Sequence, residues 1–245
     1  WFMIIAYEIF GVSAFSARFF SAFFGVLTII STFHYTQKFF NRKLGLITTF
    51  VLCSSIFFMQ EFHLAVPDPY LIFFVSFSLF NFYELYNQRK DYNFLGIIKR
   101  KTWWIFFVSI ALGVLAKGPV AIALPGLVIV LFLIFKKDFN FKSIFGFHPV
   151  LGALLIFLIC FPWYFRVHLE TGGDFTRGFF LNHNLNRFSG EMEGHGGLPF
   201  VTWAFVLLGL LPFSFFIIQG FVHSWKKRKT HDFILFSFLV SAVFL

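Results

Sequence analysis

Hydrophobic and polar positions alternate along this chain in long blocks, with apolar runs of about 14 to 22 residues between polar segments. A helix that spans a bilayer needs about 20 mostly apolar residues, and the runs lack the period-2 alternation of a transmembrane barrel strand. The pattern therefore predicts spanning helices. Roughly eight are expected, at 17–35, 44–59, 70–86, 103–116, 119–135, 150–165, 199–220 and 232–245.

Two segments lie outside these predicted spans. Residues 1–16 are interpreted as an interfacial, amphipathic lead-in, and residues 166–198, the longest polar stretch, as a loop. No fixed-period repeat and no soluble domain interrupts the pattern, so we interpret 1–245 as a single transmembrane domain. The sequence opens at Trp1 and stops at Leu245 inside an apolar run, and we expect a partial domain, truncated at both ends.

Composition supports the same fold class. The chain is 58% hydrophobic and 24% aromatic but only 13% charged, with a mean hydropathy of +0.80. A soluble domain has about a quarter of its residues charged, which argues against a cytosolic enzyme, a nucleic-acid-binding module and a disordered chain. Cys53 and Cys160 lie in apolar runs, where a thiol acts as a small hydrophobe. We expect an all-α polytopic membrane protein whose partner is the lipid bilayer and not nucleic acid.

The distribution of Lys and Arg predicts the orientation. Every second loop is basic: 36–45, 87–102, 136–149 and 221–231 hold three, five, three and four of the 20 basic residues. Loops rich in Lys and Arg stay in the cytoplasm. The alternate segments, including 166–198, are therefore expected on the periplasmic face.

Asp68 is the first candidate site residue on that outer face, within the polar segment 61–69. Pro67 and Pro69 flank it and fix the backbone on either side, which would keep its carboxylate at a helix mouth. The alternative is a plain cap on a helix that begins at Tyr70. Spacing alone leaves both interpretations open.

Lys117 is the second candidate, because the sequence Lys117-Gly118-Pro119 interrupts the apolar block 103–135. A lysine at the end of a span can extend its ammonium group to the headgroups, which is the alternative to a functional role. Here the lysine is on the side that the positive-inside rule leaves poor in cations. An ionisable residue so placed is a functional hypothesis.

The loop 166–198 supplies the third set of candidates. Arg177 and Arg187, together with Lys117, have the chemistry to clamp a phosphate. A solvated surface loop is the alternative for each residue, and no His-Glu-x-x-His spacing supports a metal. A mixed-charge site at the lipid boundary suits an amphiphilic, phosphate-bearing substrate. The polar residues of this loop are His168, Asp174, Arg177, His183, Asn184, Arg187, Glu191, Glu193 and His195.

Six short motifs occur in order along nearly the whole chain. The pattern resembles bacterial glycosyltransferases of the aminoarabinose-transferase and protein-mannosyltransferase superfamily, which have the GT-C fold. The motifs are Ser16-Ala17-Arg18-Phe19-Phe20-Ser21-Ala22-Phe23-Phe24-Gly25, Val66-Pro67-Asp68, Ala116-Lys117-Gly118-Pro119, Phe161-Pro162-Trp163-Tyr164, His183-Asn184-Leu185-Asn186-Arg187-Phe188 and Glu193-Gly194-His195-Gly196-Gly197.

The resemblance implies an inner-membrane enzyme that transfers a sugar from a polyprenyl-phosphate carrier to a lipid or glycan acceptor in the periplasm, with no nucleotide in the reaction itself. It implies that Lys117 and Arg187 contact the donor phosphate and that Asp68 helps to organise the site. His183 or His195 would lie near the acceptor or a divalent metal, with His183 the metal candidate. By the same resemblance the substrate-binding residues also include Arg18, Asn184 and Glu193.

One departure from the family pattern concerns the catalytic carboxylate. In the family it lies in the first outer loop, followed by a Lys-Pro-Pro run, and both would precede Trp1. The resemblance therefore names no general base here, and we expect the fragment alone to be inactive. A transporter or flippase of lipid-linked sugars is the alternative function, although such proteins often carry internal repeats. A purely structural membrane subunit would leave Lys117 and Asp68 unexplained.

Overall fold

The computed structural model describes residues 1–89, 94–178 and 207–244, and within these ranges the secondary structure is helical without a β-strand. This confirms the all-α prediction. A short 3₁₀ helix covers Phe213–Phe216. The α-helices are α1 Phe2–Phe10, α2 Ala14–Phe39, α3 Arg42–Ser54, α4 Ile56–Glu61, α5 Asp68–Gln88, α6 Phe94–Ile98, α7 Lys101–Lys117, α8 Val120–Phe135, α9 Phe141–Gly146, α10 Pro149–Glu170, α11 Asp174–Thr176, α12 Ile217–Lys227 and α13 Asp232–Phe244.

The outer surface of the helices is apolar. Helix α10 buries Gly152 and Cys160 against its neighbours. Its other face exposes large side chains such as Val150 and Leu158, with exposed fractions of 67% and 59%. A contiguous apolar surface of this kind in contact with water would be very unfavourable, whereas lipid tails solvate it.

Two of the described helices, α2 and α10, have both the length and the apolar character to cross a bilayer, and α8 and residues 232–243 are apolar but shorter. The pattern of apolar runs predicted roughly eight spans. One reason for the difference is that the predicted span 44–59 is two helices, α3 and α4, interrupted at Ser55. At that break, the Ser55 hydroxyl donates to the carbonyl oxygen of Gly209 at 3.0 Å.

Helix α5 lies at the centre of the bundle and packs antiparallel to α7. Its Phe82 and Leu85 are almost fully buried, as are Phe132 of α8 and Phe236 of α13. The indole of Trp103, near the start of α7, donates to the carbonyl oxygen of Phe147 at 2.8 Å. These contacts make α5 and α7 the fixed frame to which the outer helices attach.

Ring contacts show that α2 runs parallel to α5. Phe24 contacts Tyr70 with ring centroids 5.2 Å apart, and Tyr35 stacks on Phe80 at 4.9 Å. The start of α2 therefore lies at the same end of the bundle as the start of α5. That end also contains the end of α7, because α7 is antiparallel to α5.

The four basic loops meet at the opposite end, which we call the basic end. The ion pairs that connect their flanking helices are Lys38–Glu84 at 2.7 Å, Arg89–Asp138 and Lys136–Asp232 at 2.6 Å. The structure thus places 36–45, the described parts 87–89 and 94–102, 136–149 and 221–231 on one side of the bundle, as the alternation of basic loops requires.

Several predicted boundaries were wrong. Helix α2 begins at Ala14, inside the predicted lead-in 1–16. Helix α5 begins at Asp68 and not at Tyr70, because Pro67 and Pro69 suit the first turn of a helix. Helix α10 continues to Glu170, so the predicted loop 166–198 begins as a helix, where Arg166 and Glu170 form an i,i+4 ion pair at 2.8 Å. In the described part of the predicted span 199–220, the 3₁₀ turn Phe213–Phe216 precedes α12.

Candidate active site

The structure brings Asp68 and Lys117 together. They are 49 residues apart in sequence, but the start of α5 and the end of α7 are adjacent, and the Lys117 ammonium donates to Oδ1 of Asp68. Both side chains remain about one-third exposed, so the pair is open to a ligand. We call this side of the bundle the ion-pair end.

Asp68 does not act as a helix cap. Pro67 occupies the N-cap position of α5, and no side chain caps the helix there. The alternative of a plain Pro-Asp cap is therefore wrong. The carboxylate still gains from the positive end of the α5 dipole, as the Lys117 ammonium gains from the negative end of α7.

The break after Lys117 is a defined turn. Gly118 has φ 83° and ψ −155°, and its amide donates to the carbonyl oxygen of Val114 at 2.7 Å. Residues other than glycine rarely adopt this backbone conformation. Helix α10 supports the same turn, because the Tyr164 hydroxyl donates to the Val114 carbonyl oxygen at 3.0 Å. The lysine is therefore carried on a firmly held helix end.

Glu61, the last residue of α4, is a third charged group at this place. Burial raises its pKa above the ordinary value, the charge on Asp68 raises the pKa further, and Lys117 lowers it. The electrostatic influence of both partners shows that Glu61 is close to the Asp68–Lys117 pair. Glu61 opens the same outer segment 61–69 as Asp68 but was not among the residues predicted for the site.

An apolar pocket of about 350 Å³ adjoins the ion pair. It lies between α1, α5 and α7, and it includes Pro67 and Ala116, the chain neighbours of Asp68 and Lys117. An apolar pocket with a cation beside it matches an amphiphile with an anionic head. The pocket is lined by Trp1, Phe2, Met3, Val66, Pro67, Tyr70, Phe74, Leu112, Leu115 and Ala116.

Arg18 lies on the second turn of α2, at the ion-pair end, and its side chain is exposed. Later in α2, Phe20 and Phe24 contact Phe2, which lines the pocket. The ring centroid of Phe2 is 5.3 Å from that of Phe20 and 4.9 Å from that of Phe24. Within the described ranges Arg18 forms no ion pair, so its guanidinium is exposed beside the site but outside the Asp68–Lys117 contact.

The described part of the loop 166–198 contributes local contacts. Nδ1 of His168 and the Thr176 hydroxyl are 2.9 Å apart, which ties the end of α10 to α11. Asp174 begins α11 and Arg177 follows its end, and both side chains are exposed. The remaining six candidates on this loop lie outside the described residues, and their roles stay predictions. They are His183, Asn184, Arg187, Glu191, Glu193 and His195.

The described residues offer no cluster of three or more His, Cys, Asp or Glu side chains that would suit a metal. Glu61 and Asp68 supply two carboxylates beside a lysine, and the ammonium already neutralises part of their charge. These residues, in the part of the chain that the structure describes, do not fit a divalent ion. His183, the metal candidate from the resemblance, lies outside it.

Comparison with known proteins identifies a family and a fold. The profile of the family described as dolichyl-phosphate-mannose-protein mannosyltransferase matches residues 1–165. The undecaprenyl phosphate-alpha-4-amino-4-deoxy-L-arabinose arabinosyl transferase 2 of Proteus mirabilis is 25% identical over 249 residues, which cover 100% of this chain and 43% of that protein. A Pseudomonas aeruginosa arabinosyl transferase of the same description is 23% identical over 94% of this chain and 40% of its own length.

The fold is that of a solved structure. The crystal structure of ArnT from Cupriavidus metallidurans bound to undecaprenyl phosphate superposes with a TM-score of 0.81 at 21% identity, over 99% of this chain and 42% of that chain. This likeness confirms the all-α, polytopic, GT-C-like fold. The chain spans less than half the length of each of these three relatives.

Proposed function

Because the chain belongs to the dolichyl-phosphate-mannose-protein mannosyltransferase family, we propose that it forms part of a membrane glycosyltransferase that moves a sugar from a polyprenyl-phosphate carrier to a lipid or glycan acceptor. The chain covers only part of its relatives, so this is a proposal for the whole protein. The observation that carries it is that the Asp68–Lys117 ion pair is partly exposed, and that Pro67 and Ala116, the chain neighbours of the two residues, line an apolar pocket.

The geometry suits both halves of such a donor. The isoprenoid part of the carrier would lie against the apolar lining contributed by residues such as Tyr70 and Leu112. The phosphate would then reach Lys117, whose neighbour Ala116 lines the same pocket. Burial of the apolar part contributes most of the binding free energy, and the cation fixes the register of the phosphate.

Lys117 would act on the leaving group. When the bond between the sugar carbon and the phosphate oxygen breaks, negative charge accumulates on the departing phosphate. A cation already aimed at that oxygen stabilises the transition state without reorganisation. Asp68 would be a positioning residue, because its contact with the ammonium orients Lys117. Arg187, His183, Asn184, Glu193 and His195 remain proposed contacts to the donor or acceptor.

The orientation is part of the proposal. The meeting of four basic loops at one end supports a cytoplasmic basic end and a periplasmic ion-pair end, in the bacterial inner membrane. Reporter fusions that are active only in the periplasm should be active within 60–69 and inactive within 36–45. An active fusion at Arg100 would contradict this orientation.

The decisive experiment reconstitutes the full-length protein in liposomes with a panel of undecaprenyl-phosphate-linked sugars labelled on the sugar. We expect label to move to a lipid or glycan acceptor, and no transfer from the matching nucleotide sugars. Transfer from a nucleotide sugar alone would overturn the proposed donor class. Movement of intact labelled donor across the bilayer without cleavage would support the flippase alternative.

A further inference from the structure

A second pocket of about 440 Å³ lies at the basic end, far from the ion-pair end. The end of α8, the end of α12 and the start of α13 form it. In contrast to the first pocket, much of its lining is charged. The lining residues are Phe135, Lys136, Trp225, Arg228, Lys229, Asp232 and Leu235.

The charges around this pocket are only partly neutralised. Lys136 pairs with Asp232 at 2.6 Å, which leaves the positive charges of Arg228 and Lys229 in excess among the lining residues. The Arg228 guanidinium lies 3.8 Å above the Trp225 ring and donates to the Trp225 carbonyl oxygen at 2.5 Å. These contacts hold the guanidinium in place, while its remaining N–H groups can bind an anion.

The same pocket is open to the lipid phase. Helix α12, whose end lines the pocket, buries no residue. Its Ile218 and Val222 are 76% and 48% exposed. Phe135, which lines the pocket, is 46% exposed and contacts Trp225 with ring centroids 6.1 Å apart. A ligand here would meet cations at one end and an apolar helix face at the other.

We propose that this pocket binds the headgroup of an anionic phospholipid from the bilayer leaflet at the basic end, with the acyl chains along α12. Charge complementarity favours an anionic lipid over a zwitterionic one, since basic residues next to a spanning helix attract anionic headgroups. The apolar face of α12 favours a lipid over a free phosphate. The proposal does not depend on the sugar-transfer reaction.

The test uses the full-length protein in a mild detergent and measures bound lipid by native mass spectrometry. Phosphatidylglycerol and phosphatidylcholine with identical acyl chains are the probes. Phosphatidylglycerol should bind about fivefold more tightly for each unpaired basic residue in the pocket, and the preference should weaken as salt is added. Equal binding of the two lipids would overturn the proposal.

Variants inside and outside the pocket distinguish a specific lipid site from general attraction to surface charge. Arg228→Gln with Lys229→Gln should remove most of the preference for phosphatidylglycerol. The matched control, Lys99→Gln with Lys142→Gln, removes two exposed cations of the same end outside the pocket and should keep it. If the control lost the preference equally, the site would be refuted.

Two further measurements complete the test. Lys229→Gln alone changes an exposed side chain that no fold contact requires, and it should weaken phosphatidylglycerol binding about fivefold. Millimolar inorganic phosphate should leave lipid binding unchanged. Displacement of the lipid by inorganic phosphate would assign the pocket to a small anion and overturn the lipid.

Discussion

The two ends of the bundle use similar ion pairs for different purposes. At the basic end, Lys136–Asp232 joins two helices, and at the ion-pair end Lys117–Asp68 does the same. The side chains are similarly exposed, at 28% and 40% in the first pair and 36% and 34% in the second. Exposed pairs of this kind contribute less than about 1 kcal/mol each to the free energy of unfolding.

The surroundings of the two pairs differ. Lys117 adjoins an apolar pocket and a second carboxylate, Glu61, whereas Lys136 adjoins a pocket lined by further cations. The excess of Lys and Arg at the basic end follows from orientation in the membrane. A charge at the ion-pair end has no such general cause. The apolar lining of the adjoining cavity, and not the number of charges, therefore distinguishes the candidate active site.

Replacement of the cation at each end should give the largest contrast. Lys117→Met should lower sugar transfer by the full-length protein about a hundredfold or more, because the departing phosphate loses its electrostatic partner. Its melting temperature should change little, since the lost pair is exposed. Rates and thermal unfolding are measured on the same preparations.

The matched control for that variant is Lys38→Met, which breaks the Lys38–Glu84 pair at the basic end. We expect its transfer rate within about twofold of the parent, because this pair lies at the opposite end of the bundle from the candidate site. Near-normal turnover by Lys117→Met would contradict a role in transfer and would show that Lys117 only anchors the helix end at the membrane interface.

Removal of the carboxylate partner should have a smaller effect. Asp68→Asn leaves the ammonium in place but takes away the contact that orients it, and misplacement by about 1 Å can lower a rate about a hundredfold. We expect a loss of about tenfold to a hundredfold in kcat, partly restored in Asp68→Glu. Glu84→Gln, at the Lys38 pair, is the control. No rescue by glutamate would argue against a positioning role.

Filling the apolar pocket should affect donor binding more than chemistry. Ala116→Trp would occupy the pocket beside Lys117, and we expect KM for the lipid-linked donor to rise about tenfold with a smaller change in kcat. Ala123→Trp places the same side chain on an exposed face of α8 and should leave KM unchanged. Equal effects of the two variants would show that the pocket does not hold the donor.

The smallest expected effect concerns Glu61. Its pKa is raised in the folded chain, so ionised Glu61 costs stability above that pKa, and the cost disappears as the pH falls through it. Glu61→Gln should therefore be more stable than the parent at neutral pH, by less than about 1 kcal/mol because the group is partly solvated. The gap should close as the pH approaches 4.5, the ordinary glutamate value.

Thermal unfolding at a series of pH values measures that gap. Glu170→Gln, which alters the exposed Arg166–Glu170 pair at the same end, should show no gain in stability at neutral pH. A gap for Glu61→Gln that widened toward acid pH would contradict the raised pKa.

The sequence predicted the broad arrangement because block hydropathy and charge alternation are properties of whole segments. The alternation of basic loops placed both Asp68 and Lys117 on the predicted outer face. It could not show that they touch, because the antiparallel packing of α5 and α7 depends on which side chains fill the space between them. The break at Ser55 was missed for a similar reason, since a single serine inside an apolar run gives no clear stop signal.

Glu61 was overlooked because its importance depends on α4 folding back toward α5. A glutamate after an apolar run is common in sequences, and only its closeness to Asp68 and Lys117 gives it meaning. The flanking prolines made Asp68 conspicuous, yet their local effect was to start the helix two residues early. Short-range rules thus indicated the site but placed its boundary wrongly.

The glycine after Lys117 has a consequence for how this site tolerates mutation. At φ 83° and ψ −155°, Gly118 occupies a conformation that side-chain-bearing residues essentially never adopt. In a library that varies every position from 112 to 122, we expect position 118 to accept no replacement in active clones. The position of the Lys117 side chain therefore depends on a glycine at position 118. We expect the two residues to be conserved together or lost together.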